Sequence, residues 1–200
     1  MLPGDGRMSV SLMLERAACR RGGRMLFEDF SLSLGRGDAA LLRGPNGSGK
    51  SSLLRLAAGL LEPAAGSVTH EGRVALADEA LALDLRQPLG KALSFWARID
   101  GASRLAVNDA LGAMGIGHLA KVPVRMLSTG QRKRATLARA IASGADIWLL
   151  DEPGNGLDKD ALTLLDAAMA VHRVKGGIVL AASHQPLGLA DARIITLGDG

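Results

Sequence analysis

Two hundred residues with 48% hydrophobic content can bury one sizeable core, and a second independent domain is not expected at that length. Bilayer spanning needs roughly 18 consecutive apolar residues, and none is expected here, because Arg55 interrupts the apolar run at 53–61 and the other runs are shorter. A net charge of +4 would suit nucleic acid or an anionic membrane face, but with three Phe, two Trp and no Tyr there is no base-stacking platform, so no nucleic-acid partner is expected.

The first eight residues carry no basic segment followed by an apolar stretch and a cleavage site, so a signal peptide is not expected and Met8 can serve as the initiator. Short apolar segments in the first forty residues, such as 31–34, suggest an antiparallel sheet. Cys19 stands alone, which excludes an intramolecular disulfide and suits a reducing cytosol. Further on, short apolar runs alternate with helix-period segments, the pattern of a parallel sheet covered by helices on both faces. It predicts strands over 39–42, 147–150 and 178–182, and helices over 50–58 (closed by Gly59), 130–142 and 159–171. Between Ala77 and Lys121 the chain is helical and alanine-rich, with turn signals at Pro88 and around Gly115 and Gly117, and predicts a helical lobe.

Gly44-Pro45-Asn46-Gly47-Ser48-Gly49-Lys50-Ser51, followed by Ser52, lies between a predicted strand and a predicted helix and fits the phosphate-loop pattern in full. Glycines let successive N–H groups turn toward one point, and the helix adds the positive end of its dipole, so the expected ligand is the phosphate chain of ATP. Lys50 is expected at the β- and γ-phosphates, and the Ser51 hydroxyl on Mg²⁺, a hard cation that takes oxygen ligands. Ile147-Trp148-Leu149-Leu150-Asp151-Glu152 is an apolar strand ending in two carboxylates. Asp151 fits a second metal ligand, and Glu152 fits the group that polarises an attacking water.

Leu127-Ser128-Thr129-Gly130-Gln131 precedes a basic, apolar-periodic helix. By itself it reads as a helix cap. In order and spacing with the phosphate loop and the acidic strand it resembles the signature of ABC ATPases, with Thr129 in place of a glycine. That resemblance implies an α/β P-loop NTPase of the ABC type over residues 1–200, with a parallel core sheet, an N-terminal antiparallel β lobe and a helical lobe at about 78–127. It implies that Ser128, Gly130 and Gln131 serve the nucleotide of an opposite subunit in an ATP-bound homodimer. It also implies that Gly154-Asn155-Gly156-Leu157-Asp158, following the acidic strand, is a loop anchored by Asp158 at the nucleotide site, and that His184 contacts the γ-phosphate.

Two strings narrow the resemblance: Cys19-Arg20-Arg21-Gly22-Gly23-Arg24-Met25-Leu26-Phe27, and Gly176-Gly177-Ile178-Val179-Leu180-Ala181-Ala182-Ser183-His184-Gln185-Pro186-Leu187. They look like the ATP-binding subunits of the cytochrome c maturation exporters, usually called heme exporters. This closer resemblance implies a transport-coupled ATPase, peripheral on the cytoplasmic face of a bacterial inner membrane, with integral membrane subunits as partners. A soluble ABC regulator and an ATP-binding scaffold are the alternative classes. Two positions depart from the family: the adenine-stacking aromatic falls on or near Arg21, and the glutamine that links metal to helical lobe falls at Glu79-Ala80, where Glu79 is the candidate substitute.

Overall fold

The structure is a computed structural model that describes residues 9–78, 82–189 and 191–198; Glu79 and Ala80 lie outside the described residues. Eight strands and five α-helices follow in chain order among these residues. They are β1 (Ser11–Arg21), β2 (Arg24–Leu34), β3 (Ala39–Arg43), α1 (Lys50–Ala57), β4 (Ala65–Glu71), β5 (Val74–Ala77), α2 (Leu89–Ile99), α3 (Arg104–Ala113), α4 (Thr129–Ala142), β6 (Ile147–Asp151), α5 (Lys159–Val174), β7 (Ile178–Ala182) and β8 (Arg193–Thr196).

Five strands form a parallel sheet in the order β5-β6-β7-β3-β8. All five residues of β6 and of β7 are buried, which is why these strands read as unbroken apolar runs and not as alternating ones. Their side chains still divide by face. Trp148, Leu150, Val179 and Ala181 join the core beneath α2 to α5, whereas Ile147, Leu149, Ile178 and Leu180 join the core shared with α1 and the second sheet. That second sheet is antiparallel, in the order β2-β1-β4.

The predicted core elements are present, with ends displaced by up to three residues: α5 runs on to Val174, and α4 begins at Thr129. β4, β5 and β8 have no counterpart among the predicted strands. β4 has no buried residue and β8 only one that is partly buried, so neither carries an apolar pattern; β5 is only four residues long and ends at Ala77, where the alanine-rich stretch that reads as helix begins.

On the helical face, His172 of α5 lies flat on Trp148, with ring centroids 3.9 Å apart and planes 9° apart. Its Nε2–H donates to the Ile178 carbonyl at 3.3 Å. Burial pushes the His172 pKa below its ordinary value, because desolvation disfavours the imidazolium, and hydrogen bonds to the backbone of Ile178 and Asp146 oppose the shift in part. The neutral ring is therefore the folded form. Below the ordinary pKa of 6.5 the unfolded chain takes up a proton that the folded chain resists, so stability present above that value is lost as the pH falls toward the folded pKa. His172→Phe keeps a ring on Trp148 without titrating. Its melting temperature is expected to decline less than the parent's between about pH 7 and pH 5, measured by differential scanning calorimetry; equal slopes would assign the acid sensitivity to other groups.

Candidate functional site

The glycine-rich loop joins the carboxyl end of β3 to α1. Gly44 has φ 141°, and a Cβ there would lie 2.1 Å from the Leu197 carbonyl oxygen, so only glycine admits this approach of the loop to the strand beyond β8's end. Gly49, at φ 101°, is the N-cap of α1 and provides no side-chain cap; the first turn of α1 holds no acidic residue. The helix N-terminus is thus left to bind an outside anion. Lys50 is buried, and its Nζ donates to the carbonyls of Gly44 (2.8 Å) and Pro45 (2.9 Å), which places the ammonium within the curve of the loop. Ser48 Oγ is buried with no hydrogen-bond partner. Pro45, Asn46 and Gly47 are exposed, while Ser51 and Ser52 are half-buried. Ser52 is hydrogen-bonded to the Cys19 thiol, whose pKa burial pushes up.

β6 delivers Asp151 and Glu152 to the same sheet edge. Asp151 is buried, and its carbonyl accepts from Lys133 Nζ at 3.2 Å. Glu152 adopts φ +44°, a region non-glycine residues rarely occupy, and its N–H donates to the Ala182 carbonyl at 2.9 Å. This turn sets the carboxylate against the loop that follows β7. The His184 N–H donates to Glu152 Oε2 at 3.3 Å, and His184 Nε2 lies 3.5 Å from Glu152 Oε1. The same Nε2–H donates to Asn46 Oδ1 of the glycine-rich loop at 3.0 Å. Three parallel strands, β3, β6 and β7, therefore bring Asn46, Glu152 and His184 into contact at their carboxyl ends, where open α/β sheets place ligands.

Mg²⁺ fits the residues present. Ser51, in the first turn of α1, and Asp151, at the carboxyl end of β6, offer hard oxygen donors. An ion with few protein ligands and several phosphate oxygens matches such a donor set.

Ser128, Gly130, Gln131 and Asp158 form a second group. Ser128 is the N-cap of α4 and closes a capping box with Gln131: the Gln131 N–H donates to Ser128 Oγ (3.3 Å), and the Ser128 N–H donates to Gln131 Oε1 (2.9 Å). The cap reading of this motif is thus present in the structure. A Cβ on Gly130 would meet the Gly156 carbonyl oxygen at 3.1 Å, so the start of α4 rests directly on the 154–158 loop. Asp158 is the N-cap of α5, accepting from the Ala161 N–H at 2.8 Å. The sequence pattern does not foretell the side-chain bond of Asn46 or the position of Lys133, whose only sequence signal is its place in a basic cluster. In the helical lobe, a groove of about 1200 Å³ is lined by Gln87, Lys91, Phe95, Trp96, Arg98 and Arg104.

Residues 27–155 match the family described as ABC transporter. The chain is 58% identical over 191 residues to the cytochrome c biogenesis ATP-binding export protein CcmA of Sphingopyxis alaskensis, covering 96% of this chain and 98% of that one. It is 53% identical over 189 residues to the protein of the same description from Zymomonas mobilis, covering 94% and 85%. Among solved structures it resembles a bacterial Atm1-family ABC exporter with ATP bound (TM-score 0.81, 19% identity, 95% of this chain and 37% of that). It also resembles a metal-chelate type ABC transporter in an inward-facing conformation (TM-score 0.80, 24% identity, 94% and 79%). At these identities the structural likeness carries the fold alone.

Proposed function

The chain belongs to the ABC transporter family of ATP-binding proteins, and from that premise we propose that it is the ATP-hydrolysing subunit of an export complex for cytochrome c biogenesis, with heme as the cargo handled by its membrane partners. The observation that carries the catalytic part is the convergence of Asn46, Glu152 and His184 beside a glycine-rich loop that curves around the Lys50 ammonium group.

Lys50 exchanges the Gly44 and Pro45 carbonyls for the β- and γ-phosphates, with the loop's N–H groups and the α1 N-terminus taking the remaining phosphate charge. Ser51 and Asp151 would hold Mg²⁺, which when bound would neutralise phosphate oxygens. Glu152 orients and polarises the attacking water, and His184 turns its Nε2–H toward the terminal phosphate. Ser128, Gly130 and Gln131 serve the nucleotide of a second copy. Support for this comes from the α4 N-terminus, which has no acidic residue in its first turn and sits on the 154–158 loop. Two nucleotides are then sandwiched head to tail in a homodimer. Opening the capping box frees Ser128 Oγ for that contact.

Residues 1–200 are read as one ABC ATPase domain, with the helical lobe at about 78–127 docking on integral membrane subunits through its groove. The chain's likeness to curated ATP-binding export proteins supports a peripheral place on the cytoplasmic face of the inner membrane; no helix among the described residues is long and apolar enough to cross a membrane. The cellular test is deletion. Loss of this protein is expected to abolish holocytochrome c, followed by heme staining, while b-type cytochromes persist because they need no covalent heme attachment. Normal c-type cytochromes would remove the cargo assignment and leave the ATPase standing.

A further inference from the structure

We propose that Asn46 is a positioning residue for turnover, its side-chain amide tying the glycine-rich loop to His184 and, through His184, to Glu152. The proposal rests on the roles of Glu152 and His184 in the proposed hydrolysis. His184 is 47% exposed at its side chain, so packing does little to fix the ring; hydrogen bonds must do so. Its backbone is held by Glu152 Oε2 at 3.3 Å, and its Nε2 faces Glu152 Oε1 at 3.5 Å, beyond good hydrogen-bond length. The bond of good length is the one from Nε2–H to Asn46 Oδ1, at 3.0 Å.

Within the loop, Lys50 bonds the loop's own carbonyls and Ser48 Oγ has no partner, whereas the Asn46 amide reaches out of the loop to a residue 138 positions away. That bond holds the imidazole N–H over the loop in the free protein, and the N–H passes from Asn46 Oδ1 to the terminal phosphate when ATP arrives there. Without it, the ring swings between the Glu152 carboxylate and solvent, and its N–H meets the phosphate only part of the time. Because the loop's phosphate-binding N–H groups and Lys50 do not depend on this amide, Asn46 governs the rate more than the affinity.

The test is a double-mutant cycle on the purified full chain, with ATP as the substrate. Asn46→Ala is expected to lower kcat about tenfold, as slight misplacement of a catalytic group does, with KM for ATP within about twofold of the parent's. Asn46→Asp keeps an acceptor at the same reach; it is expected to recover most of kcat while raising KM, since its carboxylate stands near the phosphates. In the His184→Ala background, Asn46→Ala should cost nothing further. A parent-like kcat in Asn46→Ala, or a further loss in the double variant, overturns the proposal. A rise in KM alone would make Asn46 a binding residue of the loop and overturn it too. Full activity of His184→Ala by itself would instead strike the underlying reading of His184.

Discussion

Glu152→Gln is expected to slow ATP hydrolysis by about two to three orders of magnitude, the range found when a general base or a preorganised polar group is removed, with ATP affinity near the parent's. The side chain is 15% exposed and is aimed by a backbone at φ +44°, so a near-isosteric amide occupies the same place. Gln Oε1 can still accept the His184 N–H that Glu152 Oε2 now takes. What changes is charge: an amide cannot polarise water by drawing its proton, and its NH₂ opposes the His184 Nε2–H where a carboxylate oxygen now faces it. Lys50, Ser51 and the loop glycines are untouched, so binding persists while turnover slows. On the proposed head-to-tail arrangement, ATP should then hold two copies together, seen as a dimer by size-exclusion chromatography with light scattering. Hydrolysis at the parent rate would take Glu152 out of the chemistry, and a large loss of affinity would reassign it to binding.

The parallel core was legible because burial on both faces writes strands as continuous apolar runs: Ile147-Trp148-Leu149-Leu150 and Ile178 to Ala182 admit few other readings at such short length. The antiparallel sheet was legible only at the 31–34 end of β2. Along β1 the alternation fails where its pairing with β2 shifts register, between Leu14 and Ala17 and again before Cys19. The site divides in the same way. The loop, the paired carboxylates and the Ser128-to-Gln131 cap are local strings that can be found by spacing alone. The bond between Asn46 and His184 belongs to neither string, since it exists only once β3 and β7 pair in parallel and bring their following loops together. Arg21, the candidate for stacking on the base, is exposed at the turn end of β1 opposite Arg24, on the strand pair whose Phe27 packs over Gly49. The substitution of Glu79 for a metal-linking glutamine remains an expectation of sequence.

Lys50→Ala is expected to weaken ATP binding by about two orders of magnitude, because a hydrogen bond to a charged group contributes about 1.5–3 kcal/mol and each 1.4 kcal/mol is tenfold in Kd. Lys50 is only 7% exposed, and the partners of its Nζ are two backbone carbonyls, not a carboxylate. Burying a cation against neutral acceptors is unfavourable unless an anion arrives to complete it. The free protein therefore holds a charge whose compensation is the ligand, and removing that charge takes its contribution from the complex without removing a salt bridge from the fold. The loop itself is shaped by Gly44 against Leu197 and by Gly49 beneath Phe27, and neither contact involves the lysine side chain. Lys50→Met separates charge from packing, since the methionine fills the buried stem of the lysine and carries no ammonium. Both variants should melt near the parent temperature and lose ATP affinity to a similar degree in titration calorimetry. ADP, which presents the β- but not the γ-phosphate, should lose less than ATP. Affinity retained in Lys50→Met but lost in Lys50→Ala would make the stem, not the charge, the contribution, and parent-like ATP binding in both would place the phosphate site elsewhere.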